Sequence, residues 1–311
     1  MQVVDRRFRV MASATQLLLV NPGPRAAEWA ESRLRELEAR WSRFIETSDI
    51  TAVNRNPDVW TSVSNDTIDL IQTMQSASSV TGGAYDPTFL HRLLSAGYTL
   101  SIDDPDRFTI AVDSPCLTHS VHDVRVDVSM SNVMVPTGLS LDPGGIGKGL
   151  AADLVVSALL ASGTQGALVS IGGDIAAAGK APTAEGWHVH VDDPYRPAAP
   201  VTTIGVSAGG IATSSTRSRR WIHEGCEQHH IIDPTTGEPS ATDLATVTVV
   251  ANAGWLAEAH ATAALLAGSG GAVAYLNSHG LAGVVIDAIG AVSGTPGIAD
   301  SVQTIETGAS A

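Results

Sequence analysis

Segments of helical period and segments of strand period alternate along this chain, yet strand-like segments also follow one another directly. That ordering constrains the fold most. A doubly wound parallel sheet needs a crossover after every strand, whereas neighbouring strands joined by turns build antiparallel hairpins. The expectation is α+β, a mixed and largely antiparallel sheet with packed helices and a cleft between two halves.

The first strand candidate runs from Arg7 to Val20 and is closed by Asn21-Pro22-Gly23-Pro24. From Ala26 to Ile45, Trp29, Leu34, Leu37, Trp41 and Phe44 recur at helical spacing. A second helix is expected over Ile68–Val80, stopped by Gly82-Gly83. Short strands are expected at FTIAV (108–112), VRVDV (124–128) and LSLD (139–142). A glycine-rich turn then opens at Asp142, before a helix over Leu150–Ala161. Strands follow: ALVSIGG (167–173) into a turn, WHVHVDD (187–193), VTTIGVSAGG (201–210) leading to another turn, HHIIDPTTGEP (229–239) running into a tight turn, and ATVTVVA (245–251). A small-residue helix over Trp255–Ala267 and a last strand, AGVVIDA (282–288), complete the series. One domain over 1–295 is expected, in two packed halves of roughly 1–140 and 141–295, with a flexible tail over 296–311.

The chain has 311 residues, 18 basic and 32 acidic, a net charge of −14. That balance argues against a nucleic-acid partner, because a phosphate backbone needs a basic face. No apolar run is long enough for a transmembrane segment. Cys116 and Cys226 could make at most one bridge and no zinc site. No signal peptide or lipobox cysteine is visible, so the reading is cytoplasmic, or extracytoplasmic if a leader has been removed.

Two nucleotide motifs fail in DPGGIGKGLAAD (142–153): a dinucleotide fingerprint needs glycine where Leu150 stands, and a P-loop needs Ser or Thr where Gly149 stands. What survives is a glycine-rich turn before a helix, with Lys148, which suits an anion or a plain tight turn. In SAGGIATSSTRSRRW (207–221), Arg217, Arg219 and Arg220 follow small hydroxyl residues: phosphate-binding chemistry, or a solubilising edge strand. His229, His230, Asp233 and Thr236 gather at a turn, where one histidine could act as a general base or be structural. Glu258 and Thr262, at i and i+4, put a carboxylate and a hydroxyl on one helix face, as Mg²⁺ or a surface pair would use.

In this order, the segments resemble the ApbE family of FAD:protein FMN transferases. The likeness is carried by RFRVMAS (7–13), RFIETSDITAVNR (43–55), TGGAYDPT (81–88), LDPGGIGKGLAAD (141–153), ALVSIGGDI (167–175), HHIIDPTTGEP (229–239) and AEAHAT (257–262). The resemblance implies Mg²⁺ on Glu258, Thr262 and the Gly147 carbonyl, and His230 as base. It implies an FAD site at Met11, Phe44, Ala84, Tyr85, Asp86, Gly144, Leu150 and Ile232, shaped by Gly172, Gly173 and Asp174. Lys148 and the arginines at 217–220 are read here as anion contacts. The implied reaction moves FMN from FAD to a Thr or Ser hydroxyl of a partner flavoprotein carrying an Asp-x-x-(Ser/Thr)-Gly-Ala-Thr-like motif, and releases AMP. Alternatives at the same site are an FAD pyrophosphatase and a non-catalytic FAD-binding protein. The family's metal-binding Asp is here Glu258, one methylene longer, and its Met-Gly-Thr is Met11-Ala12-Ser13.

Overall fold

The computed structural model describes residues 1–102, 104–109, 119–196, 199–296 and 298. The N-terminal part contains β1 (Val3–Val10), β2 (Ser13–Val20), α1 (Ala26–Trp41), α2 (Asp49–Arg55), β3 (Thr61–Ser62), α3 (Asn65–Val80), α4 (Leu90–Ser95), β4 (Arg125–Asp127) and β5 (Asn132–Met134). Then come α5 (Gly147–Ala161), β6 (Gly166–Ile171), β7 (Asp174–Gly179), β8 (Trp187–Asp192), β9 (Pro200–Val206), β10 (Gly209–Ser215), β11 (Arg220–His223) and β12 (Cys226–His229). The last elements are β13 (Leu244–Ala251), α6 (Gly254–Leu266), α7 (Gly268–Ser278), β14 (Ala282–Asp287) and β15 (Val292–Gly294).

Eight strands form the main sheet in the order β1-β2-β6-β7-β10-β13-β14-β15. Every pairing in it is antiparallel, so the α+β expectation holds. The β1–β2 hairpin enters this sheet through β6, so strands from both ends of the chain share it. Helices α5 and α6 lie on one face, with α1 against α5 and α7 against α6. On the other face the β8–β9 hairpin contributes Trp187, Val189, Val191, Val201 and Ile204 to a core with Leu168, Ile175, Ile211 and Val284. Burial on both faces explains the nearly unbroken apolar runs of β6 and β13. In β8 only one face is buried, so His188 and His190 alternate outward with exposed side chains.

Helices α5 and α6 approach closely because glycines face each other. A Cβ on Gly149 would lie 2.5 Å from the backbone C and O of Gly254. No local side chain caps the start of α6; Asp153 of α5 accepts from the backbone N–H groups of Gly254 (2.8 Å) and Trp255 (3.0 Å) instead. Helix α5 therefore sets the position of α6, and with it Glu258 one turn further on.

Several boundaries differ from expectation. Arg7–Val20 is not one strand but the β1–β2 hairpin, turned at Met11 and Ala12, both with φ near +52°. The turn lacks the Gly, Asn or Asp that normally marks such a conformation, so nothing in its residue types announced it. Helix α1 stops at Trp41, where Ser42 is extended, and Trp29 lies outside its buried stripe. LSLD is not a strand; only Ser140 makes an isolated bridge, to Phe89. The helix expected from Leu150 begins earlier, at Gly147. Strand β12 ends at His229, and the segment after it is a loop closed by an Ile232–Pro239 bridge. Helix α7 and strand β15 were not expected, nor were α2 and α4. FTIAV from 110 onward and the tail, apart from 296 and 298, lie outside the described residues. Among the described residues no helix is long and apolar enough to cross a membrane.

Candidate active site

A cleft with a main chamber of 330 Å³ opens where α5, α6 and the ends of β7 and β10 converge with the 84–86 and 230–232 loops. At its floor, three charged side chains meet. Lys148 Nζ lies 2.6 Å from Glu258 Oε1 and also contacts Asp174 Oδ2. Asp174 and Glu258 are almost completely buried, and Lys148 is mostly so. The second oxygen of Glu258 accepts from the Gly149 backbone N–H at 2.8 Å. Two carboxylates against one ammonium leave one surplus negative charge. Burial, then Asp174, push the Glu258 carboxyl up to about 7, although Lys148 and the Gly149 amide oppose this. Burial alone would lower Lys148, but Asp174 and Glu258 hold its ammonium above the ordinary lysine value.

One turn beyond Glu258, Thr262 Oγ1 lies 2.9 Å from Ser214 Oγ of β10. Two carboxylates and two hydroxyls thus line one small region. Those are hard oxygen donors, and the surplus negative charge is what a divalent cation would offset, so the residues fit Mg²⁺. Among the described residues no group of three or more His, Cys, Asp or Glu side chains suits a metal ion, so hydroxyl and backbone oxygens would have to complete the set.

His230 reaches the same chamber from the loop after β12. Burial, then Arg219, hold its imidazole well below the ordinary range, so it is neutral near pH 7. Its Nδ1 is buried with no hydrogen-bond partner among the described residues, while the Ser218 backbone approaches the imidazole. Its neighbour His229 is used structurally: Nε2 lies 3.0 Å from the Ser240 carbonyl, and Nδ1 accepts from Ile231 N–H at 3.2 Å. Arg219, held at φ 51°, lines this chamber and the adjoining one.

The adjoining chamber, of 150 Å³, is more apolar in character, lined by Met11, Trp41, Phe44, Tyr98 and Ile102 among others. Its wall is stiffened by buried Arg43, whose guanidinium carbon sits 4.0 Å from the Phe44 ring centroid and 4.7 Å from that of Tyr98. Arg43 pairs with Asp142 at 3.4 Å, and Tyr98 stacks on Trp221 with centroids 4.9 Å apart. Asn54 of α2 fixes the approach to Asp142, bonding both the N–H (2.8 Å) and the carbonyl (2.9 Å) of Leu141.

The main chamber brings together Ala84, Tyr85, Asp86, Gly144, Lys148, Gly172, Asp174, His230, Ile232, Glu258 and Thr262. Met11, Phe44 and Gly147 line the adjoining one. Leu150 is packed in the core beneath the cleft and lines neither chamber; Gly173 is exposed in the β6–β7 turn and also lines neither. The ammonium of Lys148, read from sequence as an anion contact, is engaged by carboxylates instead. Tyr85 lies buried, with its hydroxyl unpartnered and its Cε2 3.0 Å from where a Gly145 Cβ would stand; Gly145 leaves room for the ring. Sequence reasoning missed Arg43, Asn54, Tyr98, Asp142 and Ser214. Of these, only Ser214 sat in a run already marked for its hydroxyls.

Fold and sequence place the chain in a class. Residues 7–285 match the ApbE family, and the chain belongs to it. It is 31% identical over 242 residues to the FAD:protein FMN transferase of Treponema pallidum, covering 72% of this chain and 66% of that protein. It is 28% identical over 206 residues to one from Klebsiella pneumoniae, covering 64% and 60%. The chain thus spans about two thirds or less of these relatives' length. The ApbE protein of Thermotoga maritima superposes with a TM-score of 0.83 at 25% identity, over 97% of this chain and 100% of that one. The Pseudomonas stutzeri flavinyl transferase ApbE gives 0.79 at 22%, over 97% of each.

Proposed function

We propose that this chain transfers FMN from FAD to a Thr or Ser hydroxyl of a partner flavoprotein and releases AMP. The observation that carries this reading is the meeting, in one cleft, of a neutral buried imidazole, the Arg219 guanidinium and an oxygen-rich site with surplus negative charge. The family relatives named FAD:protein FMN transferase support it.

The acceptor hydroxyl oxygen forms a bond to the FMN-side phosphorus, the bond from that phosphorus to the bridging oxygen breaks, and AMP leaves with that oxygen. His230 takes the hydroxyl proton. Arg219 donates to the pyrophosphate oxygens, where charge builds in the transition state. Glu258 and Thr262, with the Gly147 carbonyl, would hold Mg²⁺. When bound it supplies neutralisation of the pyrophosphate. Phe44 and Tyr85 offer ring faces to the flavin or adenine.

The test incubates the protein with FAD, Mg²⁺ and an acceptor domain bearing the Asp-x-x-Thr-Gly-Ala-Thr segment. Covalent flavin fluorescence on a denaturing gel, with AMP in equal amount, is expected. AMP without labelled acceptor identifies a pyrophosphatase, and neither product with FAD still bound identifies a binding protein; either overturns the proposal.

A further inference from the structure

Beside the cleft lies a separate cavity of 300 Å³, walled by His91 and Arg92 of α4, by His119 and by the Pro234–Gly237 turn. Asp86 and Phe89 line both spaces, so the two adjoin. The turn is built firmly: Asp233 Oδ1 accepts from Thr235 N–H and hydroxyl, and its carbonyl from Gly237 N–H. Arg92 lies directly against Gly237, where a Cβ would come within 2.8 Å of its Nε. Gly237 also has φ +71°, so glycine there both makes the turn and admits the guanidinium.

Among the described residues, two side chains of this cavity have donor atoms without partners. Arg92 Nε is buried and unbonded, and both ring nitrogens of His91 are buried with no well-formed bond beyond an approach to the Thr88 backbone. Arg6, Arg33, Arg40, Arg43 and Arg55 each hold a carboxylate. Arg92 holds none among the described residues. A buried, unpartnered guanidinium nitrogen in a chain of net charge −14 is a costly arrangement unless a ligand completes it. His119 is tied to Asp123 at 3.6 Å, and Asp86 Oδ1 is occupied by the N–H and hydroxyl of Thr88. With Arg92 and Asp86 both facing it, the cavity suits one carboxylate better than a doubly charged phosphate.

We propose that this cavity receives an acidic side chain of the acceptor protein, with Arg92 recognising its carboxylate. The inference rests on the transfer reading, since a chain presenting its hydroxyl to His230 would have this cavity next to it, across the shared Asp86 and Phe89. The carboxylate would anchor that chain away from the reacting phosphorus, and would set acceptor choice without touching FAD.

The experiment reads binding, not turnover. A fluorescein-labelled acceptor domain bearing the Asp-x-x-Thr-Gly-Ala-Thr segment is titrated by anisotropy, and FAD by fluorescence quenching, against wild type, Arg92→Gln and Arg92→Lys. Acceptor affinity should fall about tenfold in the Gln variant, the loss of one charge-assisted contact, and recover partly in the Lys variant. FAD affinity should stay within about twofold. An acceptor with the segment's Asp changed to Asn should bind wild type equally poorly, and should lose nothing further with Arg92→Gln. Unchanged acceptor affinity, an equal loss of FAD affinity, or additive losses would each overturn the assignment. So would Arg92-dependent binding of inorganic phosphate at millimolar concentration that displaces the acceptor. If Arg92→Gln does not fold, the Lys variant and the Asn acceptor carry the test. Acceptor binding without any flavin transfer would sink the proposed function and leave this site standing.

Discussion

The backbone N–H of Gly149 donates to Glu258 Oε2 over 2.8 Å, so the amide of one helix aims the carboxylate of the other. The bond forms because Gly149 and Gly254 let α5 and α6 touch backbone to backbone.

Gly149→Ala should therefore harm the protein, although alanine is the better helix former. Its Cβ would meet the Gly254 backbone at 2.5 Å, a group that cannot swing away. A net loss of about 1–3 kcal/mol is expected in chemical denaturation. A stabilised variant would show that the two helices are free to part.

Glu258 gives a pH dependence whose sign can be worked out. Its carboxyl is raised from the ordinary 4.5 to about 7 by burial and by Asp174. Between those values the folded chain binds more protons here than the unfolded chain. Stability from this group is therefore fullest in acid and declines as pH rises from about 4.5 through about 7. In metal-free buffer, Glu258→Gln should gain on wild type in melting temperature between pH 5 and pH 7.5. Millimolar Mg²⁺ should raise wild type at pH 7.5 more than at pH 5, and the Gln variant little. Wild type gaining on the variant with rising pH, without metal, would reverse the sign and refute the reading.

His230→Ala should slow single-turnover transfer by about 10²-fold or more, the scale of a lost general base. FAD affinity should change little if the imidazole serves the acceptor hydroxyl, as proposed. Loss of FAD affinity on the same scale would place His230 against the nucleotide instead.

Much of this was legible in the sequence where local chemistry fixes local structure. The glycine-rich turn before α5, the Gly172-Gly173 turn between β6 and β7, and the helix carrying Glu258 and Thr262 all sit where their residue types pointed. The Met11-Ala12 turn was hidden because the surrounding fold, not residue preference, holds both residues at positive φ. Helix α7 was hidden because Gly268, Gly270 and Gly271 stand in its first turns, and docking on α6 and β14 outweighs their poor propensity. Arg43 and Asp142 are far apart in sequence, and only tertiary packing makes them a pair. Lys148 was seen as a cation, but that two carboxylates would claim it depends on strands and helices closing around it.

The strand order carries a kinetic cost as well. The N-terminal hairpin joins the sheet where Leu18 pairs with Leu168, and β7 joins β10 across the intervening β8–β9 hairpin. Such distant closures are slow, since chain entropy is lost before contacts repay it. The cleft is lined from the β1–β2 turn, the 84–86 loop, β7, β10 and α6, so its walls are drawn from Ala12 through to Thr262 along the chain. Opening the site and unfolding the core should then proceed as one event, and FAD should slow both together.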